Sequence, residues 1–575
     1  MKMLRIGSAL LVAALAGPGA ADQIVTLCAS DDQPGAGVNL SAALAVGGRV
    51  TFQCGAHATI LIKHTHLIAQ TTEIDGAGTV VLDAGGAHAV VRLTSSSATL
   101  RLRNLTIRGA RPAAAPDIAG IVSTGGGTIE LIGSRIENSL NPIYTWGGTV
   151  RLTDSELADD FGIGINAPNV ELIRSRLHGA GVQPVLSSGG SVVIRDTDIW
   201  GSRPSTFLNC QLRIERSRLT ANGDPAASGG AMQTTCDTTI LDTDLVNNRA
   251  RIGGAIYLRD GARLTVRGTH FTGNEAQAEG GAIAVASPWM PARTITLRHV
   301  TFTGNRAKSG GAIHLGTAIE NEMVLEGTAV LFERNSAADT GGAIAGTNAG
   351  VRLARAVFNG NGADTYGGAI ALISYAPRPS IVANALLVGN VAPTGSVFRG
   401  SGIQFVNSTI ADNQGPAVAF FWPTPSLANP PDWRLVRLVN TLVVGNQGGG
   451  CAGGPFSVLL RDGGRNLQFP TADCGRTVPV VDPQLDGFFV PLAAGPAHGK
   501  ADPATCSSAP VNGIDVYGQA RLKGGGCTIG AVEGDIEDLV SRRAGSRERR
   551  IRRDLAPDGR TTPARPPPPT PVGIW

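Results

Sequence analysis

Asp159 and Asp160 stand side by side in Ala158-Asp159-Asp160-Phe161-Gly162-Ile163, followed by His178-Gly179 and then Arg213-Ile214. Two carboxylates near an imidazole and a guanidinium suit cleavage of a glycosidic bond. One acid protonates the leaving oxygen while the other attacks the sugar or activates water. The same residues equally suit a solvated turn with two acidic side chains, and that plainer reading is favoured. Asp154, Asp196, Asp198, Asp242 and Asp244 recur in short Asp-x-x or Asp-Thr-Asp contexts whose spacing suggests one aligned column. Calcium-assisted lyase chemistry would need such a column beside an Arg or Lys base. Aspartate also caps turns well, so a structural column is expected. His57, His64 and His66 lie near the start of the patterned region, the last two at i and i+2. Their spacing to the cysteines is not that of a zinc site, and ordinary surface histidines, with no metal, are expected. No phosphate loop, dinucleotide fingerprint or nucleophile elbow is present.

The framework that would position these groups is a repeat. Gly-Gly-Ala-Met starts at Gly229, and Gly-Gly-Ala-Ile starts at Gly253, Gly280, Gly310, Gly341 and Gly367. Phe-x-x-Asn interleaves with it at Phe271/Asn274, Phe302/Asn305, Phe332/Asn335 and Phe358/Asn361, with degenerate copies ending at Asn248, Asn390, Asn413 and Asn446. Within a unit the apolar residues alternate, as in Leu264-Thr265-Val266, which is a strand signature. Paired glycines break helices but suit turns that need positive φ. An Asn recurring once per unit can form a ladder, with Asn248, Asn274, Asn305, Asn335, Asn361 and Asn390 as its members. Earlier units keep the alternation without the motif, as in residues 99–108. The prediction is all-β: a right-handed parallel β-helix over 58–450, roughly 14 to 17 coils and roughly 70–80 Å long. Asn39 and the run to Val46 predict a short helical cap within 22–57. Residues 451–533 are expected to close the other end.

Composition agrees. Gly is 77 of 575 residues, charged residues are 16% and aromatics 5%, unlike a helical or collagenous chain. Lys2 and Arg5 precede an apolar run to Ala16 and small residues near Ala21, predicting a signal peptide over 1–21 and export. Eight cysteines then predict disulfides. Sequence proximity suggests Cys28–Cys54, Cys210–Cys236, Cys451–Cys474 and Cys506–Cys527, among the many pairings that eight allow. Residues 541–575 carry nine Arg against three acidic residues, a net +6, so the rest of this +4 chain carries −2. A nucleic-acid role for the patterned part is therefore not expected. The Arg- and Pro-rich tail, 534–575, is predicted to be disordered and could touch an anionic envelope polymer.

Three resemblances accompany these motifs. The order Asp159-Asp160, His178-Gly179, Arg213-Ile214 resembles that of polygalacturonases, with Glu215 where the family has Lys. The paired repeats over 229–390 resemble the polymorphic outer membrane protein repeat of surface adhesins. Arg465-Asn466-Leu467, Asp482-Pro483-Gln484-Leu485 and Cys527-Thr528-Ile529-Gly530-Ala531-Val532-Glu533 are similar to exported choice-of-anchor Q proteins with pectin-lyase-like β-helices. These resemblances imply export to the surface or medium, and a glycan or cell surface as partner. The expected function is a binding or adhesion scaffold without catalytic activity. The alternative is a polysaccharide lyase or glycoside hydrolase on acidic polysaccharide, with Asp159, Asp160 and His178 as its catalytic groups. No cofactor is expected, and Ca2+ enters only under the lyase alternative.

Overall fold

The computed structural model describes residues 22–533 except 113–116, 180, 260, 287–293, 318–322, 375–377, 422–433, 452–459 and 522–525. The expected signal peptide and basic tail lie outside the described residues. The chain winds as a right-handed parallel β-helix. Described strands form one 30-stranded sheet, one 15-stranded sheet and one 6-stranded sheet, all of their inter-strand ladders parallel.

Each coil is built from alternation. The strand Thr128–Ile132 buries Ile129 and Leu131 and turns Thr128, Glu130 and Ile132 outward. Its register places Val150 on Ile129 and Leu152 on Leu131, and the next coil adds Val170 and Leu172. Aliphatic side chains thus stack in columns through one continuous core. A slip of one residue would turn every column to solvent, so register is strongly fixed.

The Gly-Gly-Ala-Ile and Phe-x-x-Asn units mark the coils that carry the 6-stranded third face. Phe271, Phe302, Phe332 and Phe358 stack nearly parallel inside, with centroids 4.8, 5.0 and 4.7 Å apart. In the adjoining turn, the amide and Nδ2 of Asn248 both donate to Asn274 Oδ1, at 3.0 and 2.9 Å. Nδ2 also donates to Leu219 O. The pattern repeats at each of the ladder asparagines and extends to Asn222, Asn413 and Asn446. Gly253 has φ +65°, and a Cβ on Gly254 would meet Gly281 O at 2.0 Å. Only glycine permits that rung-to-rung approach.

Helix α1 (Leu40–Val46) covers the first coil. Asn39 Oδ1 accepts from Ala42 N, and Leu40, Ala43 and Leu44 are buried. Disulfides join Cys28 to Cys54, Cys210 to Cys236, Cys451 to Cys474 and Cys506 to Cys527.

Within the expected C-terminal cap, the described residues of 480–533 pack along the flank of the later coils. Val490, Val516, Ala531 and Val532 pack on Leu386, Val388 and Ala411. Arg521, fully buried, donates to Asn384 Oδ1, to the carbonyls of Thr528, Gly530 and Ala531, and to Glu533. The cause is on the coils themselves. The strand Leu386–Val388 is buried on both faces, which demands a covering layer.

Candidate functional site

Asp159 and Asp160 do not form a convergent pair. They fill the two turn positions that Gly273-Asn274 and Gly304-Asn305 fill in later coils. Asp159 takes the positive-φ slot, at φ +53°, and its side chain is 65% exposed. Asp160 takes the ladder slot and is 2% exposed. Its Oδ1 accepts from Ser139 N at 2.8 Å, as ladder asparagines accept from the preceding coil, while its Oδ2 has no hydrogen-bond partner. Burial pushes its pKa up to about 8 against the pull of the Ser139 amide, and the Asp159 charge adds to the rise. One carboxylate faces water and the other the core, so the two cannot flank one glycosidic bond.

His178 sits one coil on, opposite Ala158. Its Nε2 contacts Glu156 Oε1 at 2.9 Å, its Nδ1 is 3.9 Å from Asp159 Oδ1, and its ring stacks on Trp200 at 4.3 Å. Burial of Glu156 opposes its ionisation, but hydrogen bonds from His178 and Arg135 outweigh this and hold its pKa below the usual value. His178 is thus part of a charge-paired surface. Arg213, the third element of the series, pairs with Glu215.

The aspartates do not form one column either. Asp154, Asp196 and Asp242 occupy a positive-φ turn that Arg174 and Arg216 occupy on the intervening coils. Arg174 binds Asp154 through two bonds of 2.7 Å, and Arg216 binds Asp196 at 2.8 and 2.9 Å. Asp198 and Asp244 belong to a different column, Arg135–Glu156–Arg176–Asp198–Arg218–Asp244. A third runs Arg49–Glu73–Arg101–Glu130–Arg151–Glu171. Signs alternate because each residue lies about 4.8 Å from its neighbours above and below, where like charges repel. Such columns offer no cluster of free carboxylates for Ca2+.

The histidines divide. His57 is exposed. His66 is buried rather than on the surface, and its Nε2 lies 3.1 Å from Oδ2 of the fully buried Asp31. Burial pushes the His66 pKa down to about 4 despite the Asp31 charge. His64 approaches the same carboxylate through Nδ1 at 3.4 Å.

A different constellation, absent from the sequence expectations, lies on the outer face of the 15-stranded sheet. Register brings His314, Ala345, Ala371 and Arg399 to successive coils of one outward column, spanning about 14 Å. The two alanines leave a depression of about 100 Å3 between the larger side chains, rimmed by Thr340, Tyr366 and Phe421. The Arg399 guanidinium is clamped between the Tyr366 ring at 3.6 Å and the Phe421 ring at 4.0 Å. Among the described residues no carboxylate pairs with it. His314, 8% exposed, accepts from Gly316 N at Nδ1. Its Nδ1 also lies 3.4 Å from Glu279 Oε2, and burial lowers its pKa against the attraction of that carboxylate. The groove therefore offers one fixed cation, two aromatic faces, an imidazole and small hydroxyls. That is a donor set for an anionic, hydroxylated ligand.

The class defined by these observations is the right-handed parallel β-helix. A family model described as "Right handed beta helix region" matches residues 89–316. Among solved structures, the A-module of the mannuronan C-5 epimerase AlgE6 of Azotobacter vinelandii aligns with 75% of this chain and 94% of its own, at 12% identity and TM-score 0.22. Tailspike protein 3 of bacteriophage CBA120 aligns with 84% of this chain at 10% identity and TM-score 0.22, and 66% of its own length is covered. No curated protein matches.

Proposed function

We propose that this chain is an exported, secreted or surface-associated β-helix that binds acidic polysaccharide along the groove between His314 and Arg399. The observation that carries the reading is the Arg399 guanidinium, held between Tyr366 and Phe421 with no acidic partner among the described residues. On the early coils, by contrast, arginines such as Arg101, Arg174 and Arg216 are matched by carboxylates in alternating columns. A preorganised, unpaired guanidinium favours a carboxylate or sulfate from outside, because its planar fork is already fixed and little side-chain entropy is lost. The groove runs along the rod axis, as a linear polymer would.

A polysaccharide lyase is the second reading. It is favoured by the placing of the Tyr366 phenol and the His314 imidazole on the same rim as Arg399. Arg399 would neutralise a uronate carboxylate while His314 takes the proton beside it; the electron pair forms the C=C bond as the glycosidic C–O bond breaks, and the leaving oxygen takes a proton from the Tyr366 phenol. A glycan array probed with the full chain tests the binding reading. Retention of uronic-acid or sulfated glycans over neutral ones supports it, and retention of none refutes it. Incubation with the retained glycans, read by absorbance of unsaturated sugar ends, separates scaffold from lyase.

A further inference from the structure

We infer that Asp31, His64 and His66 form a binding site for one divalent transition-metal ion, Zn2+ being the best match. The ligand atoms come from two separate pieces of chain. Asp31 belongs to the segment before α1, and His64 and His66 lie at and just before the strand His66–Ile68 of the early coils. Oδ2 of Asp31, Nδ1 of His64 and Nε2 of His66 lie within 4.8 Å of one another. Metal–ligand bonds of about 2.0–2.2 Å place three donors roughly 3–3.5 Å apart around one tetrahedral ion. The Asp31–His64 and Asp31–His66 separations are 3.4 and 3.1 Å.

The polar accounting points to a missing ligand. The Asp31 side chain is fully buried, yet Oδ1 has no hydrogen-bond partner, and neither has the buried Nε2 of His66. Buried donors and acceptors are normally satisfied, and a buried imidazole nitrogen with no hydrogen-bond partner, facing Oδ2 of a buried carboxylate whose other oxygen is also unpartnered, calls for a positive centre between them. The nearest lysine does not supply it. Lys63 directs its ammonium to Asp32 at 2.9 Å and gives Asp31 only its backbone amide, at 3.1 Å.

The surroundings suit a ligated ion. The Nε2 of His64 lies 3.3 Å from Ser41 Oγ. With a metal on Nδ1, Nε2 carries the proton and donates to that hydroxyl, which fixes the ring in its ligating tautomer. Ser41 is in the first turn of α1, so the ion would couple the cap helix, the N-terminal segment and the early coils. The His64 side chain is 51% exposed, leaving a solvent-facing fourth position for water. Two imidazoles and one carboxylate select borderline ions over Ca2+ or Mg2+, which prefer all-oxygen shells.

The test uses the full chain after stripping with a chelator. Titration with Zn2+, followed by calorimetry, and with Co2+, followed by its visible ligand-field bands, should each show one tight equivalent and raise the melting temperature. H64A replaces a half-exposed side chain outside any strand, so folding should survive while affinity falls by at least 100-fold. S41A removes the hydroxyl that orients the His64 ring and should cost about 10-fold. H57A, at an exposed histidine outside the cluster, should change nothing. D31N keeps the shape of the buried side chain and should also abolish the tight equivalent. Absence of a tight equivalent in the stripped parent, or its persistence in H64A, overturns the assignment.

Discussion

Replacing Asp160 by Asn should stabilise the rod at neutral pH, even though Asp160 is one of the candidate catalytic groups of the enzymatic alternative. In the ladder, each Asn accepts at Oδ1 from the coil before it and donates through Nδ2 to a carbonyl of that coil. Asp160 makes the first bond, with Ser139, and leaves Oδ2 orphaned. Only the protonated acid can supply the missing donor, and register makes the Ile136 carbonyl its acceptor. Asp159, Arg135 and Glu137 are the charges that bear on it, and burial dominates them all. Its pKa therefore rises from 3.8 in the unfolded chain to about 8 when folded. Below pH 3.8 both states hold the proton and no penalty exists. As pH climbs the unfolded state releases its proton first, so stability falls through the window up to about 8 and is then level. The full loss is on the order of 5 kcal/mol, and about 4 kcal/mol of it is present at pH 7. D160N removes this dependence while supplying the Nδ2 donor. Because solenoids unfold coil by coil, the clearest assay is hydrogen exchange of residues 134–163 in both proteins across that pH range. Protection in D160N should exceed that of the parent near neutrality, with the difference closing towards pH 4. Equal protection at every pH, or weaker protection in D160N at pH 7, would refute the reasoning.

Phe332→Ala empties the middle of the aromatic stack and should cost about 3–5 kcal/mol, read as early local melting of coils 302–361. Asn305→Ala strands the amide of Asn274 and its Nδ2, and a loss of about 1–3 kcal/mol is expected from chemical denaturation. Removing Cys210–Cys236 by a double Ala substitution opens a loop of 26 residues, for which chain entropy predicts about 3–4 kcal/mol; denaturant midpoints check it. Arg521→Ala leaves Asn384 and four carbonyls without their donor, and should release residues 480–533 to limited proteolysis while the coils persist.

What the sequence made legible was whatever recurs at a fixed place in each coil. Phe, Asn and Gly-Gly declare themselves because in-register stacking demands the same residue type on every rung. α1 was legible through Asn39 and the glycines after Val46. Asp159-Asp160 was legible as a turn, but the burial of Asp160 was not, because an acidic residue in a ladder slot looks, in one dimension, like a solvated one. Only register shows that it replaces Gly-Asn. The aspartate column dissolved for a related reason: Arg174 and Arg216 fill the alternate turns, and spacing of aspartates alone cannot reveal what stands between them. His314, Tyr366, Arg399 and Phe421 come from different coils and stand well apart in the sequence, and no local motif links them. A retrospective signal exists in Ala345 and Ala371, small residues where neighbouring coils carry larger ones. The flanking C-terminal layer was foreshadowed by Leu386–Val388, apolar on both faces, which a strand open to solvent on one side would not tolerate.

The groove is the centre of the account, and one titration tests it most directly. Full-length protein and its Arg399→Ala variant should be titrated calorimetrically with an acidic oligosaccharide and with a neutral one of equal length. The parent should bind the acidic ligand, R399A should lose at least 10-fold in affinity, and neither should bind the neutral one comparably. Equal binding of the acidic ligand by both proteins would contradict the assignment of the groove.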